Sequence, residues 1–144
     1  MNKYIIFFVL GMIGCHALNG QVLLAVEIGT GNDDLRGGND NVNLFVNMKS
    51  GTQVLFDNIN RSVRWADNST NKVTQVPTPG KIADVAGFRL ETTFGGGIGG
   101  DNWNLNRFIV HGIVSNVANK MVDVSGNPLY RFTGDQKSFE IKYP

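Results

Sequence analysis

The chain has 144 residues, the length of one ordinary domain, and 42% of them are apolar, which is enough for a hydrophobic core. Charged residues make up only 17% and glycine occurs 18 times, so the composition disfavours a helical bundle or coiled coil, which needs more Ala, Glu, Lys and Leu. The net charge of +1 gives no argument for a nucleic-acid partner.

The first twenty residues are predicted to be an export signal. A positive charge at Lys3 precedes an apolar run over residues 4–13, which is too short to span a bilayer as a helix. Small residues follow, as is typical before a cleavage site. The sequence therefore predicts that residues 1–20 are removed and that residues 21–144 form one exported domain.

Two cleavage sites remain open. Cleavage after Gly20 would release a secreted protein that begins at Gln21. Alternatively, residues 12–15 (MIGC) resemble a lipobox, so that residues 1–14 would be the signal and a lipidated Cys15 would anchor the protein at the cell surface. Cys15 is the only cysteine, and the domain is therefore expected to fold without an internal disulfide.

The rest of the chain predicts short strands separated by polar turns. Alternating apolar residues, as in Val42, Leu44 and Val46, are typical of a half-buried strand. Ser50-Gly51 predicts a hairpin turn, and Pro77 is expected to end a strand. The predicted strands are 21–29, 42–49, 52–56, 72–76, 85–93, 103–114, 120–124, 129–133 and 138–143, with one helical turn at 81–85. This pattern indicates an all-β fold, an antiparallel sandwich of about eight strands.

Catalytic motifs are scarce. His111 is the one histidine outside the predicted leader, and it lies alone in a predicted strand. The sequence contains no G-x-S-x-G, H-E-x-x-H or P-loop pattern. We therefore predict that the protein is not an enzyme and assign no catalytic residue.

Aspartate and asparagine are concentrated in two loops. Residues 30–41 contain three Asp and three Asn, and residues 99–104 add one Asp and two Asn. Calcium takes oxygen ligands from carboxylates, amides and backbone carbonyls, and glycine lets a loop turn its carbonyls inward. Two interpretations remain open, a calcium site or turns that are simply built from their preferred residues.

Four features in chain order carry a family resemblance. The first strand ends in Thr30-Gly31, and Gly37-Gly38-Asn39-Asp40 precedes the second, similar to a T-G…G-T-D opening. Trp103-x-Leu105-x-x-Phe108-x-Val110 is similar to a W-x-L-x-x-V-x-V strand, and residues 121–143 look like closing strands. Together they resemble the PLAT (lipoxygenase-homology, LH2) domain, a C2-like β-sandwich found as the membrane-binding C-terminal module of clostridial alpha-toxins. The resemblance spans nearly all of residues 21–143.

The resemblance implies a calcium site. It places the two acidic loops at one end of the sandwich, with Asp40 and Asp101 facing each other across the ion. Two carboxylates brought together repel, so a cation there would be favourable. Further carboxylates and amides of these loops either complete this site or form a second one. The candidate metal ligands are Asp33, Asp34, Asn39, Asp40, Asp101 and Asn104.

The resemblance also implies docking onto membrane lipid or a protein partner. In a calcium-assisted mode the ion bridges the acidic loops to lipid phosphates while apolar loop tips enter the interface. Leu35 either enters the interface or packs back on the core, Trp103 is expected mainly to pack, and Trp65 is expected at the surface. The candidate docking residues are Leu35, Arg36, Arg64, Trp65, Phe94, Ile98 and Trp103.

Two alternative functions stay open beside this exported, non-catalytic binding module. Trp65 with Arg64 suits stacking on a sugar ring, which would make the protein a carbohydrate-binding module, although Arg64 stacked on Trp65 could equally cover the open end of the sandwich. A structural surface lipoprotein would depend on Cys15.

Overall fold

The chain folds into two four-stranded antiparallel sheets packed face to face. The structure is a computed structural model that describes residues 22–94 and 101–144, except for the side chains of residues 74 and 75. One sheet has the strand order β4-β1-β6-β7 and the other β3-β2-β5-β8. The strands are β1 (Val22–Thr30), β2 (Val42–Met48), β3 (Gln53–Phe56), β4 (Thr70–Thr78), β5 (Val85–Thr92), β6 (Trp103–Val114), β7 (Val117–Phe132) and β8 (Ser138–Lys142). The predicted sandwich of about eight strands is confirmed.

Strand burial follows the alternation in the sequence. Every second residue of β1 from Val22 to Ile28 is buried, and in β2 the buried residues are Val42, Leu44 and Val46. Successive side chains of a strand point to opposite faces, so this period of two turns one face of each strand toward the facing sheet.

Aromatic side chains join the two sheets across the core. Phe108 of β6 meets Phe88 of β5 and Phe139 of β8 edge-on, each with ring centroids 6.3 Å apart. Nearer one end of the sandwich, Trp103 stacks on Phe132 with centroids 4.9 Å apart. The two contacts of Phe108 span both layers, because β6 belongs to one sheet and β5 and β8 to the other, whereas Trp103 and Phe132 lie on paired strands of one sheet.

Two predicted strand boundaries are wrong. Strand β4 continues through Pro77, which pairs with Leu23, because β4 is an edge strand and an edge tolerates a residue without an N–H. The two strands predicted at 120–124 and 129–133 form the single strand β7. Its register with β6 shifts between Leu105 and Arg107, and residues 126–129 lie within that irregularity.

The predicted turns are confirmed. The β2–β3 hairpin turns at Ser50-Gly51, where Gly51 has a left-handed φ of 87°, and a single 3₁₀ turn covers Ile82–Asp84. The predicted leader, both cleavage sites and Cys15 lie outside the described residues. In residues 22–94 and 101–144, no helix has the length and apolar character needed to cross a bilayer.

Replacing the aromatic ring that bridges the sheets should cost far more stability than replacing one on an outer face. Phe108→Ala is expected to lower the free energy of unfolding by about 3–5 kcal/mol, because the fully buried ring leaves a cavity. Phe45→Ala is the matched control. Its ring is half-buried under the Arg89 guanidinium at 3.7 Å, and it should cost about 1 kcal/mol. Urea denaturation measures both, and equal losses would contradict this account of the core.

Candidate functional site

Four connecting segments meet at one end of the sandwich, which we call the loop end. They are residues 31–41, residues 57–69, the described part of the β5–β6 connection (93–94 and 101–102) and residues 133–137. The backbone N–H of Arg36 donates to Asp101 Oδ2 at 2.9 Å, so the two acidic loops are in direct contact. The hairpin tips of β2–β3 and β6–β7 lie at the opposite end.

A short backbone bridge joins segments 31–41 and 57–69. Leu35 N–H donates to Trp65 O at 3.1 Å, and Trp65 N–H donates to Leu35 O at 2.9 Å. The pairing turns both side chains inward, where Leu35 is 0% and Trp65 5% exposed. The expectation that Trp65 lies at the surface is therefore wrong, whereas the interpretation that Leu35 packs back on the core is confirmed.

Two other apolar candidates also belong to the core. Phe94 is 1% exposed and Trp103 0%. The Trp103 indole donates to Thr30 Oγ1 at 3.2 Å and meets Trp65 edge-on at 5.9 Å, so it holds the base of the loop end together. Neither residue can enter a membrane as a loop tip. Ile98 lies outside the described residues.

Asp33 and Asn104 share a partner that the sequence did not indicate. Arg131, at the end of β7, donates to Asp33 Oδ2 at 2.8 Å and to Asn104 Oδ1 at 2.9 Å. Asn104 is buried and its amide donates to Asn32 Oδ1 at 2.7 Å. Both ends of the Asn104 side chain are therefore used in holding segment 31–41 against β6.

The other candidates in segment 31–41 differ in their contacts. Asp34 pairs with Arg64, and this hydrogen bond and charge raise the pKa of Arg64. Asp40 is half-buried and its backbone N–H donates to Gly37 O at 3.0 Å. Asn39 is exposed, and its backbone carbonyl accepts the Thr93 hydroxyl at 3.0 Å.

Asp101 is the buried acid of the loop end. Its side chain is 1% exposed, and the Arg36 Nε atom lies 3.1 Å from Oδ1. That contact lacks hydrogen-bond geometry, and Oδ1 has no hydrogen-bond donor in the described structure. Burial raises the pKa of Asp101, the N–H and charge of Arg36 oppose the rise, and the charges of Asp40 and Asp34 add to it.

The side-chain oxygens of Asp34, Asp40 and Asp101 match the ligands that a cation prefers only in part. The oxygens are carboxylates, as calcium prefers, and Asp101 Oδ1 is buried without a hydrogen bond. However, Arg36 and Arg64 already face Asp101 and Asp34, and the described residues contain no group of three or more His, Cys, Asp or Glu side chains placed to hold a metal ion. Arg36 would have to leave Oδ1 for a divalent ion to reach it, and calcium stays a prediction.

Segment 57–69 presents a tip that sequence reasoning missed. Val63 is 59% exposed and is flanked by the exposed residues Arg61 and Arg64. Asn58 holds the tip, since its Oδ1 accepts Ser62 N–H at 2.7 Å. Leu35 became a candidate because it is an apolar residue within a polar loop. Val63 is also an apolar residue within a polar loop, and the same criterion could have identified this tip.

Comparison with solved structures finds the same fold in two kinds of protein. The alpha-toxin of a Clostridium perfringens avian strain matches with a TM-score of 0.57 and 18% identity over 86% of this chain and 32% of the toxin. The alpha-toxin of Clostridium absonum matches with a TM-score of 0.57 and 12% identity over 91% of this chain and 33% of the toxin. A lipoxygenase variant matches with a TM-score of 0.54 and 16% identity over 86% of this chain and 16% of that chain.

These matches are structural. PLAT domains have this fold in both kinds of protein, so the fold expected from the sequence resemblance is confirmed. The chain spans about a third of the toxins and about a sixth of the lipoxygenase, and their catalytic domains lie outside the matched part. No protein-family model and no curated protein sequence matches the chain.

The raised pKa of Asp101 predicts a pH dependence of stability. Because the unfolded carboxyl ionises first, the charged group lowers stability as the pH rises from about 3.8 toward the higher pKa of the folded state. Asp101→Asn removes this loss, so its stability relative to wild type should increase across that window and then level off.

Urea denaturation between pH 3.5 and 7 measures this difference. Asp135→Asn, at an exposed position of the same end, controls for the general loss of a negative charge. A relative stability of Asp101→Asn that decreases with rising pH would show that the carboxylate stabilises the fold.

Proposed function

We propose that the chain is a non-catalytic docking module that places its loop end on a lipid membrane. The single observation that carries the proposal is the tip of segment 57–69, where Val63 projects between Arg61 and Arg64. An apolar side chain between cations suits the boundary between lipid headgroups and acyl chains. The toxin and lipoxygenase matches support the proposal through the fold alone.

Hydrogen bonds hold the backbone of the tip in an uncommon conformation. Asn58, Arg61 and Ser62 have left-handed φ values of 47°, 53° and 58°, which side-chain-bearing residues rarely adopt. The buried Asn60 supports them, because its amide donates to Val63 O at 3.1 Å and its Oδ1 accepts Val42 N–H at 3.0 Å. A loop restrained by its own hydrogen bonds loses less conformational entropy on docking than an unrestrained loop.

Calcium binding is the second and more specific part of this proposal. Asp34 and Asp40 add negative charge near Asp101, and this charge would repel anionic lipid. Asp101 and Asp40 are the carboxylate pair that would hold the ion, since no third acid side chain of the described residues is placed to join them, and the ion would supply positive charge toward lipid phosphates. The Arg36 side chain is 55% exposed and lies beside Asp101, so its charge would also face these phosphates.

The structure removes the support for one alternative function and does not test the others. Stacking on a sugar requires an exposed ring face, and Trp65 is 5% exposed while Arg64 pairs with Asp34, so the carbohydrate hypothesis loses its original basis. A protein partner at the same tip and export as a free or lipidated protein remain predictions.

Membrane docking is tested by co-sedimentation of the purified protein with vesicles of phosphatidylcholine and phosphatidic acid. Val63→Asp should weaken binding roughly tenfold or more, because it removes an inserted apolar side chain and adds a repelled charge. Val117→Asp is the matched control, since Val117 is 60% exposed at the opposite end. Equal effects of the two substitutions, or no binding of the wild type, would contradict the proposal.

The calcium part is tested by thermal unfolding with millimolar calcium or EDTA. Calcium should raise the melting temperature of the wild type by mass action, and the double substitution Asp40→Asn with Asp101→Asn should abolish the shift. Arg36→Gln should lower the calcium concentration needed, because it removes the cation that competes for Asp101. Absence of a shift in the wild type and in Arg36→Gln would rule out calcium binding.

A further inference from the structure

A cleft opens beside the docking tip, where segment 57–69 crosses from β3 to β4. Its volume is about 250 Å³. Ile59, Trp65 and Val73 line it with side chains that pack in or against the core. Arg61 and Lys72 also line it, and both are exposed. The cleft thus combines a narrow apolar floor, since Ile59 and Trp65 are nearly buried, with a mainly polar lining that includes two cations.

The two cations of the rim are available to a ligand. No side-chain hydrogen bond or ion pair joins Arg61 to another described residue. Lys72 Nζ lies 3.8 Å from Glu27 Oε2, and its side chain is 69% exposed. Glu27 also faces Arg107 at 3.9 Å, so this carboxylate is shared and neutralises Lys72 only in part. The rim therefore favours an anion.

The apolar floor and the volume of the cleft limit the kinds of anion that it could bind. Pockets for drug-sized ligands enclose ~300–1,000 Å³, and this cleft is smaller. Its volume suits a headgroup of a few carbon atoms rather than an acyl chain. Asn60 lines the cleft, but its side chain is already hydrogen-bonded to Val42, Asn41 and Val63, which leaves recognition to the cations and the apolar floor.

We propose that this cleft binds the glycerol phosphate portion of a phospholipid headgroup. Arg61 and Lys72 donate to the phosphate oxygens, and the glycerol carbons lie against Val73 and the small exposed part of Trp65. Val63 is also at the cleft, so a headgroup held there would place its acyl chains beside the inserting side chain. This inference rests on the proposed membrane docking and names the group of the lipid that is recognised.

The first experiment titrates the purified protein with glycerol 3-phosphate and, separately, with glycerol and inorganic phosphate, followed by NMR of backbone amides and indoles. Glycerol 3-phosphate should shift the Trp65 indole and the amides of segment 57–69. Arg61→Gln and Lys72→Gln should each weaken this binding roughly tenfold. Lys142→Gln, an exposed lysine near the far end of β8, is the control and should change nothing.

The second experiment repeats the vesicle assay with Lys72→Gln, whose thermal unfolding should match the wild type because the side chain is exposed. Weaker binding to vesicles and to glycerol 3-phosphate supports the inference. Vesicle binding that is insensitive to Lys72→Gln, without a shift by glycerol 3-phosphate, overturns it and leaves membrane docking standing. A shift by glycerol 3-phosphate or inorganic phosphate without any vesicle binding assigns the cleft to a soluble phosphate and overturns both the lipid source and the docking proposal.

Discussion

The loop end depends on the pair of backbone hydrogen bonds between Leu35 and Trp65. Neither segment belongs to a sheet, yet this antiparallel bridge gives both a strand-like alternation of side chains. The bridging residues point into the core, and their neighbours Arg36 and Arg64 are exposed. The bridge therefore buries Trp65 at the end of the sandwich and leaves Arg36 and Arg64 at the surface. Gly37 permits it, because a Cβ there would come 2.7 Å from Ser62 O and its φ of 76° disfavours other residues.

The arginines of the loop end pair with its aspartates and neutralise part of their negative charge. Three aspartates face three arginines from distant parts of the chain, and only the pair of Asp101 and Arg36 contains a buried carboxylate. Exposed ion pairs contribute little to stability, since water competes for both partners. A buried carboxylate without a full set of hydrogen bonds is costly, which gives Asp101 a reason to accept another cation. The ion pairs thus position the segments, whereas additional positive charge would stabilise the buried carboxylate of Asp101.

The sequence predicted the sheets far better than the loop end. Alternation in β1 and β2 is a local signal, and packing two such faces leaves few arrangements other than a sandwich. Burial in the loops depends instead on pairing between distant segments, so Trp65 beside polar residues gave no local sign that it faces the core. The partnership of Arg131 with Asp33 spans 98 positions and could not be inferred from either neighbourhood. The strand β7 was predicted as two because Gly126 and Pro128 are typical of a turn, whereas the structure accommodates them in a register shift.

Exposure alone does not distinguish the two ends of the molecule, because Val63 and Val117 are nearly equally accessible. Backbone conformation does. Ser115 and Asn116 have left-handed φ values because a two-residue hairpin requires them, and such turns are ordinary. No hairpin explains the left-handed Asn58, Arg61 and Ser62, whose strain is held by the Asn58 side chain, by the bond from Gly38 N–H to Ser62 O at 2.9 Å and by the buried Asn60. A strained conformation persists only where its surroundings fix it, and here they fix an arginine and a valine at the surface beside a cleft with a cationic rim. That combination is why we propose the loop end, rather than the hairpin end, as the docking surface.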